Sequence, residues 1–100
     1  MKTITTATHD IRASYTVDRT GEWHEVDING YDFAEIVDDM LDFWNEASNH
    51  AEEFAITRTF HQDDYTVVTE IVGAVYGHYD GVVDMSIVHT ITVQVAAVER

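Results

Sequence analysis

Residues 65–98, YTVVTEIVGAVYGHYDGVVDMSIVHTITVQVAAV, decide the architecture of this chain. β-Branched and aromatic residues dominate the stretch, and Gly77 and Gly81 bracket its polar centre. The pattern predicts two long strands, Tyr65 to Tyr76 and Val82 to Val98, joined by a turn over Gly77 to Gly81. In the first strand both alternating sets are apolar. Tyr65, Val67, Ile71 and Val75 fall on one side, and Val68, Val72, Ala74 and Tyr76 on the other. A strand apolar on both faces needs a layer over each. A helix can supply one layer; the other must come from sheet curvature, from another strand of the same chain or from a second subunit. Of these, a homodimer is the favoured source. Gly73, alone among the glycines in falling outside a predicted turn, reads as a bend or bulge.

Upstream, Ile11, Ala13, Tyr15 and Val17 alternate with Arg12, Ser14, Thr16 and Asp18, the period of a half-buried strand, with a further short strand expected over Thr3 to Thr8. Arg19, Thr20 and Gly21 predict a hairpin turn, after which Trp23 to Ile28 returns with His24, Val26 and Ile28 on one face. Asp32 followed by Glu35 has the form of a capping box, opening a helix with the stripe Phe33, Ile36, Val37, Met40, Leu41 and Trp44, extended by Phe43. This helix is expected to reach Asn49, or Glu53 with Ala51 on its face. Phe54 to Phe60 then predicts another strand, and His61 to Asp64 a polar hairpin loop. The order β(β)β-α-β-β-β describes an α+β fold, an antiparallel sheet of five to six strands with one helix across a face, in a single domain over residues 1–100.

Charge is the abnormal property. Nineteen Asp and Glu oppose five Lys and Arg, a formal net charge of −14 over 100 residues. Phosphate binding depends on Lys and Arg, so direct nucleic-acid binding is not expected, nor is attraction to anionic membranes. Basic protein surfaces are the natural counterpart. Between Arg19 and Arg58 there is no cation, while eleven carboxylates fall in the interval. Five of them, Glu35, Asp38, Asp39, Asp42 and Glu46, recur at spacings of three and four on the outer face of the predicted helix. Like charges so placed cost roughly 0.2–0.5 kcal/mol per pair, so helix stability does not account for them.

Carboxylates one helical turn apart lie ~5–6 Å from each other, a spacing that can imitate successive phosphates. In its acidity, size and the run Glu35, Asp38, Asp39, Asp42 and Glu46, the chain resembles the small phage-encoded inhibitors of host defence, the anti-restriction and anti-CRISPR proteins. That resemblance implies a non-catalytic inhibitor, acting in the host cytoplasm on a basic protein or nucleoprotein complex, by nucleic-acid mimicry. The alternative is a small structural or ligand-binding homodimer whose acidity reflects adaptation to salt.

Other chemistries find little support. The chain has no Cys, no hydrolase, phosphate-loop or dinucleotide motif, and no apolar run of ~18 residues that could span a membrane. An enzyme and a cofactor are therefore not expected. His61 with Asp63 and Asp64, and His78 with Asp80, lack a metal-binding spacing and read as polar turns, so no metal is expected either. His89 falls on the face of Val83, Met85, Ile87, Ile91 and Val93 and reads as a hydrogen-bonded core or interface histidine. Trp23, beside Glu25 and Asp27, is either a partner-binding aromatic or packed under the first hairpin.

Overall fold

A computed structural model describes residues 4–18, 20–49 and 52–100, with all of their side chains except those of His78 and Tyr79. Five strands and one helix follow in the order β1 (His9–Val17), β2 (His24–Val26), α1 (Phe33–Ala47), β3 (Glu53–Asp63), β4 (Thr66–Tyr79) and β5 (Val82–Glu99). The strands form one antiparallel sheet in the spatial order β2-β1-β5-β4-β3, so the first and last strands are neighbours at its centre. The chain is an α+β fold with its helix on one face. The described part of the expected N-terminal strand is instead a turn, with His9 and Thr8 both donating backbone N–H groups to the Thr5 carbonyl; Thr3 lies outside the described residues.

Alternation in β1 and β5 explains where α1 sits. Ile11 and Ala13 from β1, Ile71 from β4, and Ile91, Val93, Val95 and Ala97 from β5 are buried on one face, against Ile36, Val37 and Met40 of the helix. Trp44 closes one end, its ring edge-on to Tyr15 at 5.4 Å and 6.2 Å from Phe54. Asn45 fastens the helix to β3 through both amide atoms: Nδ2 donates to the Phe54 carbonyl (3.3 Å) and Oδ1 accepts from the Phe54 N–H (2.9 Å). The helix ends at Ala47 with Ser48 as its cap, short of the expected Asn49, because Asn49 takes a left-handed backbone (φ 55°) that cannot continue the helix. Ala51 lies outside the described residues. Phe43 does not extend the buried stripe; it lies at the edge of that stripe, two turns after Ile36, and is 66% exposed.

The hairpins are tighter than the sequence pattern predicts. His61 to Asp63 continue β3, and the chain reverses through Asp64 and Tyr65, where Asp63 Oδ1 accepts from the Tyr65 N–H (2.8 Å). Similarly β4 runs through Gly77 to Tyr79 and turns only at Asp80-Gly81, both with positive φ (50° and 79°). That pair of left-handed residues is the two-residue turn whose twist matches the strands it joins, for which Asp-Gly is a favoured sequence. β2 is only three residues long, shorter than the expected Trp23 to Ile28, although Val26 and Ile28 do pack toward the core.

Gly73 marks an irregularity, as its sequence position predicts. Its Cα partner is His89, while Ala74 pairs with Ile87, leaving Val88 as an extra residue in β5. The Phe54 ring fills the space over Gly73, and a Cβ there would lie 2.7 Å from Phe54 Cε1. The bulge changes which residues share a face. Ile91, Val93 and His89 point to the helix side, whereas Ile87, Met85 and Val83, opposite Ala74 and positions of the same parity on β4, fall on the other side. The expected single face joining Val83, Met85, Ile87, His89, Ile91 and Val93 is therefore broken at Val88.

On the helix-free side of the sheet, Val68 is buried beneath neighbours of the same sheet. Phe60 stands directly across from it, and the Arg58 guanidinium lies over the Phe60 ring at 4.4 Å. Beyond Ala74 and His89 neither β3 nor β1 flanks the hairpin. The β4–β5 hairpin projects there as a two-stranded arm, and the molecule measures 56 × 24 × 24 Å. Its radius of gyration, 15.3 Å, exceeds the ~13 Å of a typical compact 100-residue chain.

Candidate functional site

The geometry of α1 fixes the acidic face. A buried stripe of Ile36, Val37 and Met40 forces residues three and four apart on the opposite side toward solvent. Glu35, Asp38, Asp42 and Glu46 are exposed and Asp39 is half-buried, all within one side of the helix. Among the described residues no Lys, Arg or His forms an ion pair with any of the five. The three described arginines pair elsewhere: Arg12 with Glu25, Arg58 with Glu70, and Arg100 with Asp10.

The five acids are not equivalent. Asp32 Oδ1 accepts from the Glu35 N–H (3.0 Å), and Glu35 Oε1 in turn accepts from the Tyr31 N–H (3.3 Å), so Glu35 helps hold the start of the helix. Asp39 accepts a hydrogen bond from Asn29 Nδ2 at 3.3 Å, tying it to the connection before the helix. Asp38, Asp42 and Glu46 have no such partner among the described residues. Glu46 also lies in the last turn, where the helix dipole is unfavourable to an anion and no basic residue offsets it.

Beside this face, between α1 and β3, lies a cleft of about 240 Å³. Val37, Ile56 and Val67 provide apolar lining, while Asp38, Thr59 and His61 add polar groups. The acidic face thus adjoins a groove that can hold the aliphatic part of a basic side chain. No sequence signal marks this groove, because it depends on β3 and α1 meeting.

Trp23 is not brought onto the helix. It lies in the connection before β2 and is 48% exposed, with Glu22 and Glu25 exposed beside it. His89 occupies a site that sequence pattern missed in detail. Its Nδ1 lies 3.1 Å from Glu52 Oε2, and its ring stacks on Phe54, at the junction of β5 and the segment entering β3. Among the described residues no group of three or more His, Asp or Glu could hold a metal ion, and no helix is long and apolar enough to cross a membrane. No family of proteins, curated protein or solved structure matches the chain.

Proposed function

We propose that this chain is a non-catalytic acidic binding protein whose helix face engages a basic surface on a protein partner, and that the partner is a nucleic-acid-binding complex of host defence, which it blocks by occupying a phosphate-binding groove. One observation carries the reading: Asp38, Asp42 and Glu46 stand exposed in a row without a cation or an internal hydrogen bond among the described residues. Three such carboxylates on one helix present negative charge at regular intervals, and the placement of Glu46 at the helix C-terminus works against stability rather than for it. Association through this face is driven by charge, so it weakens steeply with salt.

The test uses the triple variant Asp38→Lys, Asp39→Lys, Asp42→Lys as bait beside the natural chain in a host lysate. The natural chain should capture a nucleic-acid-binding complex that added duplex DNA displaces, and the variant should lose it while melting at an equal or higher temperature. Equal capture by both would overturn the reading.

A second reading, a homodimer whose acidity serves hydration in salt, is favoured by a different observation. Exposed acids are not confined to α1: Asp10, Asp18, Glu22, Asp27, Asp63 and Asp84 are exposed across the remaining elements. It requires the fold itself to be lost at low salt and restored in molar salt, which thermal melts at the two ionic strengths measure directly.

A further inference from the structure

The arm beyond Ala74 and His89 contradicts the usual economy of a water-soluble surface. Val75, Tyr76, Val82, Val83, Met85, Ile87 and Val88 are each between 38% and 64% exposed. Register assigns them to faces. Tyr76 pairs with Met85 and Ala74 with Ile87, so Tyr76, Val83, Met85 and Ile87 share one side, the side opposite the helix. That side continues, along β4, into Val72 and the buried Val68. Val75, Val82 and Asp84 belong to the other side, with Asp84 across from Gly77.

An isolated two-stranded hairpin is only marginally stable in water, and here it carries its apolar residues uncovered. The cations and prolines that commonly guard an exposed edge are also missing, since residues 59–99 contain neither Lys, Arg nor Pro. We propose that the arm is a self-association element, and that two copies of this chain pack arm against arm through Tyr76, Val83, Met85 and Ile87. This inference does not rest on the acidic helix reading.

Charge and area favour a second copy over other occupants. The contacting face carries no acid, and the acids described in the arm, Asp80 at its tip and Asp84 on the reverse side, are kept out of the contact, so two negatively charged chains can meet there without opposing carboxylates. A basic partner finds nothing to pair with on that face, and an anionic lipid surface repels a chain of net charge −14. Burying the face and part of its rim from both copies removes about 1,000 Å², the lower bound for a specific interface and a size that suits a reversible pair. A two-fold arrangement uses the same patch on each copy and closes the assembly at two. Because the arm projects past the sheet, the acidic helices stay apart in the pair and both remain open.

Sedimentation equilibrium of the full chain from low to several hundred micromolar tests this. The expected result is a concentration-dependent shift from 11.4 kDa to twice that mass. Salt should strengthen the pair by screening the repulsion between the two chains, the opposite of its effect on binding to a basic surface. Met85→Glu should hold the chain at 11.4 kDa with unchanged far-ultraviolet circular dichroism, and the milder pair Val83→Thr, Ile87→Thr should raise the dissociation constant at least tenfold. Should Met85→Glu fail to fold, hydrogen exchange of the natural chain decides: amides of Val82 to Val88 should gain protection as concentration rises, while those of β1 do not change. A natural chain that stays monomeric throughout, a mass that grows past two copies, a Met85→Glu chain that still pairs, or arm amides indifferent to concentration would each overturn the proposal. So would a monomer that instead sediments with phosphatidylcholine vesicles. The variant Asp38→Lys, Asp39→Lys, Asp42→Lys should pair normally, which separates failure of this inference from failure of the helix reading.

Discussion

The two halves of β5 have similar compositions and opposite surroundings. In Ile91 to Ala97, every second residue is buried under the helix, and Val93 and Val95 are fully enclosed. In Val82 to Val88, every residue is exposed. The difference does not come from intrinsic strand propensity, which Val and Ile supply in both halves. It comes from neighbours: β1 flanks the C-terminal half and stops at Val17, opposite Ile91, and the extra residue Val88 turns Ile87, Met85 and Val83 away from the helix. Apolar sequence thus specifies a strand here, but only the register of its partners decides whether that strand belongs to a core or to a contact surface.

The sharpest way to break this comparison is to place a charge in each half. Val93→Asp buries an unpaired carboxylate and is expected to cost more than about 4 kcal/mol, enough to unfold the chain. Val83→Asp should change the monomer's stability by no more than about 0.5 kcal/mol. Urea titrations of both variants measure the contrast, and equal losses would mean that the arm is part of the core.

The bulge between the halves can be probed next. Gly73→Val drives a side chain into the Phe54 ring, and an overpacking loss of about 2 kcal/mol is expected in the same titration. A smaller effect belongs to the arm's turn. Gly81→Ala, at a φ of 79°, should cost about 1 kcal/mol of hairpin stability. That loss should be read in faster amide exchange from β5 residues 82–88 rather than in the global melt.

Much of the central frame is legible in the sequence because local chemistry and period agree there. Asp32 caps α1 as its spacing with Glu35 predicts, and the 3.6-residue period puts the five acids on one side. Phe43 shows the limit of that period, since it lies only about 20° around the helix from the buried Ile36, seven residues earlier, and is still exposed at the edge of the stripe. Turn positions were harder to read. The pattern Gly77-His78 attracts a predicted boundary, but the positive φ values needed for a two-residue hairpin select Asp80-Gly81, and the ladder then extends β4 to meet it. Gly73 signals the level of the break, but nothing within β5 marks Val88 as the extra residue, because that reflects which residue of β4 each residue of β5 faces. For the candidate site, the acids could be read from spacing. The commitments of Glu35 to the Tyr31 N–H and of Asp39 to Asn29 could not, since both depend on the path of the chain before the helix.

An effect of opposite sign is expected in the well-enclosed part of the sheet. Thr16 is buried and its Oγ1 has no hydrogen-bond partner among the described residues. Thr16→Val removes an unsatisfied hydroxyl at nearly constant shape and should stabilise the chain by about 1 kcal/mol, seen as a higher denaturation midpoint with an unchanged slope.

The pairing of His9 with Glu99 has a temporal consequence. During synthesis, β1 is made long before β5, its central neighbour, so the sheet cannot be completed until residues 91–99 have emerged. The β3–β4–β5 meander can assemble as a late local unit, onto which β1 and β2 must then dock across the whole sequence, a non-local step of the kind that slows folding. During that interval, mutual repulsion among nascent copies, each strongly anionic, would hold their bare strands apart.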